Sequence, residues 1–117
     1  MNDKMKALTG AVEGLVEMEY ARAGSIYGMV FHSGHEGYGV IAEEVQEARE
    51  CGERVDAVMY QLLKALRIED GHAVRELARY ILDSAVQGAA ELIQVAAMCE
   101  KMIRTSLEVG HEESVQA

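Results

Sequence analysis

The 117-residue sequence contains no proline, where an average usage of about 5% would supply roughly six. Proline in a helix interior removes a backbone hydrogen bond and clashes with the preceding turn, so a chain without it favours long uninterrupted helices. Tryptophan is absent and phenylalanine occurs once, which leaves two of the strand-favouring residues almost unrepresented. The two cysteines, Cys51 and Cys99, form no CxxC and no pattern with histidine, which argues against structural zinc. There is no run of 18 or more apolar residues and no signal-peptide pattern, so no membrane partner is expected and the compartment reads as cytoplasmic. Basic residues are also short: 11 Lys and Arg face 20 Asp and Glu, a formal net charge of −9. Such a surface repels phosphate backbones and makes nucleic acid an unexpected partner. A nucleotide is not excluded, because a bound divalent cation reverses the charge locally.

What is present is apolar. Hydrophobic residues make up 50% of the chain, too many for disorder and enough for one domain, read as residues 1–110 with a polar, frayed tail at 111–117. Neither an internal repeat nor a low-complexity segment interrupts it. Three helical stretches account for nearly all of it, so the fold class is all-α. The first is expected from about Asp3 to Met29, with Leu8, Val12, Leu15, Val16 and Met18 on its apolar face. Gly10, Gly14, Gly24 and Gly28 lie within it and signal either close packing or a break. The second should open at Ser33, because Ser33-Gly34-His35-Glu36 has the form of a capping box, and should run to about Arg67, with Gly52 as a point of bending. Lys64 and Arg67 suit the negative end of its dipole. Glu69-Asp70-Gly71 forms the turn, Asp70 can cap the next helix, and that helix is expected from His72 to Val109 with Gly110 ending it.

The chemistry concentrates in two places. Between Gly88 and Cys99 only Glu91 and Gln94 are polar. A helix apolar on all sides is normally buried on all sides, so Glu91 should be paired, protonated or bound to metal. On the second helix, Glu44 and Glu47 stand at i and i+3, close enough in angle for both carboxylates to reach one hard cation. The turn brings the two places level. Glu47 lies 22.5 positions before the midpoint between Glu69 and Asp70, and Glu91 lies 21.5 after it. Glu44 and Gln94 lie 25.5 before and 24.5 after, so antiparallel helices put both pairs roughly 33–38 Å from the turn. Three glutamates held together would repel strongly without a cation. Plainer roles remain: Glu43 and Glu50 suit a solvated helix face, Glu36 is explained by its cap, and Glu44 and Glu47 could pair with arginines or Glu91 with a lysine. His32 and His35 read as loop residues, and the cysteines, Met98 and Met102 as packing.

At these residues the sequence resembles the all-α nucleotide pyrophosphohydrolases, the MazG-like superfamily, marked by E-x-x-E on one helix and E-x-x-D on the next. Glu44-x-x-Glu47, with Glu43 before it, matches the first half, and Glu91-x-x-Gln94 falls at the second. The string from His35 to Glu47 and the stretch Glu91 to Met98 are similar to the small MazG-like proteins of phage and prophage. The resemblance spans roughly Ser33 to Met102. Two departures stand out: Gln94 replaces an aspartate with a neutral, poorer ligand, and 43 residues separate Glu47 from Glu91, a longer interval than usual.

The resemblance implies a hydrolase that converts a (deoxy)nucleoside triphosphate to the monophosphate and pyrophosphate with magnesium, or manganese in its place. Glu44, Glu47, Glu91 and Gln94 would hold the metal, and Glu43 or Glu47 would act as general base. Lys101 and Arg104 could contact phosphates, although cations near a helix end need no such role; Glu36 and Tyr38 would contribute to substrate binding, with Tyr27, Phe31 and Tyr38 available for stacking. Three helices do not bury so much apolar surface by themselves, so a homodimer or homotetramer is expected to complete a bundle of long antiparallel helices. The alternative is a non-catalytic helical oligomer that binds a nucleotide or a protein.

Overall fold

A computed structural model describes residues 2–107 and is all-α, with α1 at Asp3–Tyr27, α2 at Gly34–Arg67 and α3 at Gly71–Arg104. The described residues up to Ala42 and those from Ile93 onward form one compact unit, and Glu43–Leu92 forms another. Among the described residues no helix is long and apolar enough to cross a membrane.

In the first unit, α1 begins at an Asn2 cap whose side-chain oxygen accepts the Met5 N–H at 2.9 Å. It stops at Tyr27, two residues short of the expected Met29, because Gly28 leaves helical geometry at φ +97° while its N–H still reaches the Gly24 carbonyl. Two of the four glycines take the expected roles. Gly28 is a break, and Gly24 is packed so tightly against Met29 that a side chain there would collide with it. Gly10 and Gly14 face open space, and Leu8, Leu15 and Met18 on the anticipated apolar face are exposed within the chain. Only the C-terminal half of α1 contributes buried residues: Tyr20, Ala23 and Gly24.

The capping box at Ser33 forms, with a shift. Ser33 Oγ accepts the Glu36 N–H at 3.1 Å, but the Glu36 carboxylate reaches one residue further back than the motif anticipates, to the His32 N–H at 2.8 Å. Close behind, Gly37 lies under Met102 and Phe31, where a Cβ would come within 3 Å of both. At the other end of this unit α3 stops at Arg104 rather than Val109. The Thr105 hydroxyl donates to the Lys101 carbonyl at 2.7 Å and accepts the Phe31 N–H at 2.9 Å, which turns the chain out of the helix. Gly110 and the tail at 111–117 lie outside the described residues.

The second unit is an antiparallel hairpin of α2 and α3. Its turn follows the Schellman pattern: the Asp70 N–H bonds to the Ala65 carbonyl at 3.0 Å and the Glu69 N–H to Leu66 at 3.1 Å. The left-handed position is Glu69, at φ 56°, not the neighbouring Gly71. Asp70 caps α3 as expected, accepting the Ala73 N–H at 3.0 Å. A left-handed backbone costs a side-chain-bearing residue roughly 1–2 kcal/mol. Glu69→Gly is therefore expected to stabilise the protein by about 1 kcal/mol, and Glu69→Val to destabilise it; urea denaturation followed by circular dichroism measures both.

Candidate metal centre

The hairpin unit brings Glu44, Glu47 and Glu91 together, with one carboxylate oxygen from each lying within 4.8 Å of the others. The reason is a close approach of the two helices one turn away. A Cβ on Gly88 would come 3.0 Å from the Cys51 Cβ, so the missing side chain lets α2 and α3 meet there. Arg54 fastens the same region, donating to the Cys51 sulfur at 3.0 Å and to the Gln87 side-chain oxygen at 3.1 Å. Cys51 stands four residues after Glu47 and Gly88 three before Glu91, so the contact fixes how near the carboxylates sit.

The three side chains are half-buried, and one oxygen of Glu44 and one of Glu91 are buried without any hydrogen-bond partner. An orphaned carboxylate oxygen in such a place is costly, and the cost is removed by a proton or a cation. Among the described residues no cationic side chain pairs with these three glutamates. The side-chain ion pairs among the described residues are Arg22–Glu19, Arg79–Glu76 and Arg104–Glu100. Electrostatics agree with the crowding. Burial, then the charges of Glu47 and Glu91, push the Glu44 carboxyl up to about 7. Glu47 is raised as well, first by hydrogen bonding with the Glu91 carboxyl and then by its charge. A donor set of hard oxygens converging from two rigid helices, with unsatisfied lone pairs, fits a magnesium-like cation.

The other expected site residues are placed as follows. Glu43 is exposed on α2 beside Glu44, and it and Glu50 add their charge to the field at Glu47. Gln94 is half-buried on the part of α3 that belongs to the first unit. Glu36, Tyr38, Lys101 and Arg104 also belong to that unit. Glu36 is the cap described above, and Tyr38 is exposed. Lys101 is buried with its ammonium 4.5 Å from the centre of the Phe31 ring. Arg104 pairs with Glu100 at 3.2 Å and lies 4.7 Å over Tyr20. Tyr27 is exposed and Phe31 buried. Sequence reasoning named all three clustered glutamates but missed the Gly88–Cys51 contact that sets their spacing. The signal was an isolated glycine in a helix interior at the edge of the apolar stretch.

Comparison with protein-family models, with curated proteins and with solved structures returns no match.

The raised carboxyls set a pH dependence. For Glu44 the unfolded chain releases its proton near the ordinary value of 4.5, while the folded chain keeps it to about 7. The metal-free fold is therefore favoured below pH 4.5, loses stability as pH climbs from there to about 7, and stays at the lower level above. A magnesium ion held by these carboxylates would compete with the proton, so 5 mM of roughly millimolar-affinity cation should raise the melting temperature at pH 8 and leave it nearly unchanged at pH 5. Glu91→Gln should remove the magnesium response while raising metal-free stability at pH 8. Thermal melts with magnesium or EDTA test both; a magnesium response of equal size at both pH values contradicts the assignment.

Proposed function

We propose that the protein is a magnesium-dependent nucleotide pyrophosphohydrolase that acts in the cytoplasm, as a homo-oligomer, on a nucleoside triphosphate, most simply a deoxynucleotide. The observation that carries this reading is the Glu44–Glu47–Glu91 cluster with its two partnerless buried oxygens. The E-x-x-E and E-x-x-Q sequence pattern on the same helices supports the substrate class by resemblance.

Glu44, Glu47 and Glu91 are the residues that would hold magnesium or manganese, with Gln94 one turn further along α3. When bound, the cation supplies charge neutralisation for the triphosphate and makes a water molecule more acidic. The chain's own contribution is to keep three carboxylates aimed at one point on two helices whose separation is set by Gly88 and Cys51. The carboxylate not fully engaged, Glu43 or Glu47, takes the proton of the attacking water as the bond to the leaving pyrophosphate breaks.

A second reading has a specific observation behind it. Lys101 is buried against Phe31 and Arg104 is paired with Glu100, so both cations expected at the phosphates have local partners. Together with the neutral Gln94, this favours a helical oligomer that binds metal or nucleotide without turning it over.

Pyrophosphate release from a panel of NTPs and dNTPs, with and without magnesium, separates the two. The enzyme reading expects release that needs magnesium and falls roughly 100-fold or more in Glu47→Gln. If no nucleotide is hydrolysed while magnesium still stabilises the fold, the binding reading replaces it. Gln94→Asp then shows whether the missing carboxylate limits the rate, through a gain in pyrophosphate release over wild type.

A further inference from the structure

The hairpin unit carries a groove of about 290 Å³ between its helices, lined on α2 by Ala48, Gly52 and Val55 and on α3 by Ala85, Ala89 and Leu92. None of these side chains is charged, in a chain with a formal net charge of −9. The same apolar stripe continues past the groove at helical spacing, through Met59, Leu63 and Leu66 on α2 and Leu82 on α3. These four and Leu92 are 43–59% exposed.

One further feature of the groove asks for an occupant. Gly52 interrupts the helix interior, yet a Cβ there would meet nothing within 4 Å, so no contact among the described residues requires glycine at that position. A glycine beside open space permits another backbone to approach closely.

We infer that this α2–α3 face is the docking surface for the same face of a second copy, related by a two-fold axis near Gly52 and Ala85. The inference gives the proposed self-association its place and does not depend on nucleotide hydrolysis. Two features select a second copy. The face is self-complementary, with small residues at its middle where two hairpins approach and large aliphatic ones flanking them, so two copies make four helices around one core. Its size also suits: the five large side chains bury roughly 300–600 Å² per copy, and the alanine and glycine floor extends this towards the ~800 Å² per partner of a stable dimer. Because each copy is strongly acidic and the face is uncharged, added salt should tighten the association.

The test is analytical ultracentrifugation of the full chain, without nucleotide, over a range of concentration and sodium chloride. Wild type is expected to be at least dimeric and to associate more tightly as salt rises. Ala85→Glu and Ala89→Glu, both at exposed positions within the chain, should weaken association by roughly 100-fold, with helical content unchanged by circular dichroism. Leu8→Glu with Leu15→Glu, on the exposed face of α1, should leave it intact. If either groove variant loses helicity, Leu82→Glu serves in its place. A monomeric wild type at 100 µM, about the concentration a weak dimer requires, overturns both the surface and the self-association. A dimer that survives the groove variants but not the α1 variants overturns the surface alone, as does association weakened by salt.

Discussion

Mutual repulsion among Glu44, Glu47 and Glu91 is the constraint around which the hairpin is arranged. One oxygen from each lies within 4.8 Å of the others, and two oxygens have no hydrogen-bond partner. Free side chains would relieve this by turning outward into solvent. They are held because α2 and α3 touch almost backbone to backbone at Gly88 and Cys51, and because Arg54 bonds to Cys51 and Gln87 beside that contact. The fold thus stores an unfavourable charge arrangement that a proton relieves at low pH and that the proposed divalent cation would relieve at neutral pH. An arrangement of this kind is more useful for binding than for stability.

The described residues are sparing in core. The buried hydrophobic residues are Tyr20, Ala23, Phe31, Cys51, Ala65 and Ala97, and no large side chain is fully buried. Two helices of 34 residues therefore leave long apolar stripes exposed within one chain. The stretch from Gly88 to Cys99 illustrates this. Its all-round apolar composition implies burial on every side, yet within one chain Leu92 is 59% exposed and Ala89 is exposed beside it. The uncharged hairpin face and the carboxylate cluster belong to the same unit, so covering the first would also limit the freedom of the second.

Much of the fold is legible in the sequence. Helix identity follows from the absent proline and the spacing of apolar residues, and the caps at Ser33 and Asp70 follow from side chains whose oxygens reach backbone N–H groups only a few residues away. The near-equal distances of Glu47 and Glu91 from the turn follow from helical rise alone. These are local or one-dimensional properties, and the chain carries them wherever it goes. Helix ends were less legible: α1 stops at a Gly28 with positive φ, and α3 at a Thr105 that bonds to Phe31, 74 residues away in the chain.

The sequence by itself determined that the chain would be helical, that its acids would fall level across a hairpin, and that an apolar stretch would surround one of them. Tertiary structure decided how close those acids come, because their spacing depends on Gly88 meeting Cys51 and periodicity says nothing of which residues meet. It also decided which apolar faces stay open. Amphipathic pattern marks a face as wanting cover, but only packed helices reveal whether the same chain provides it.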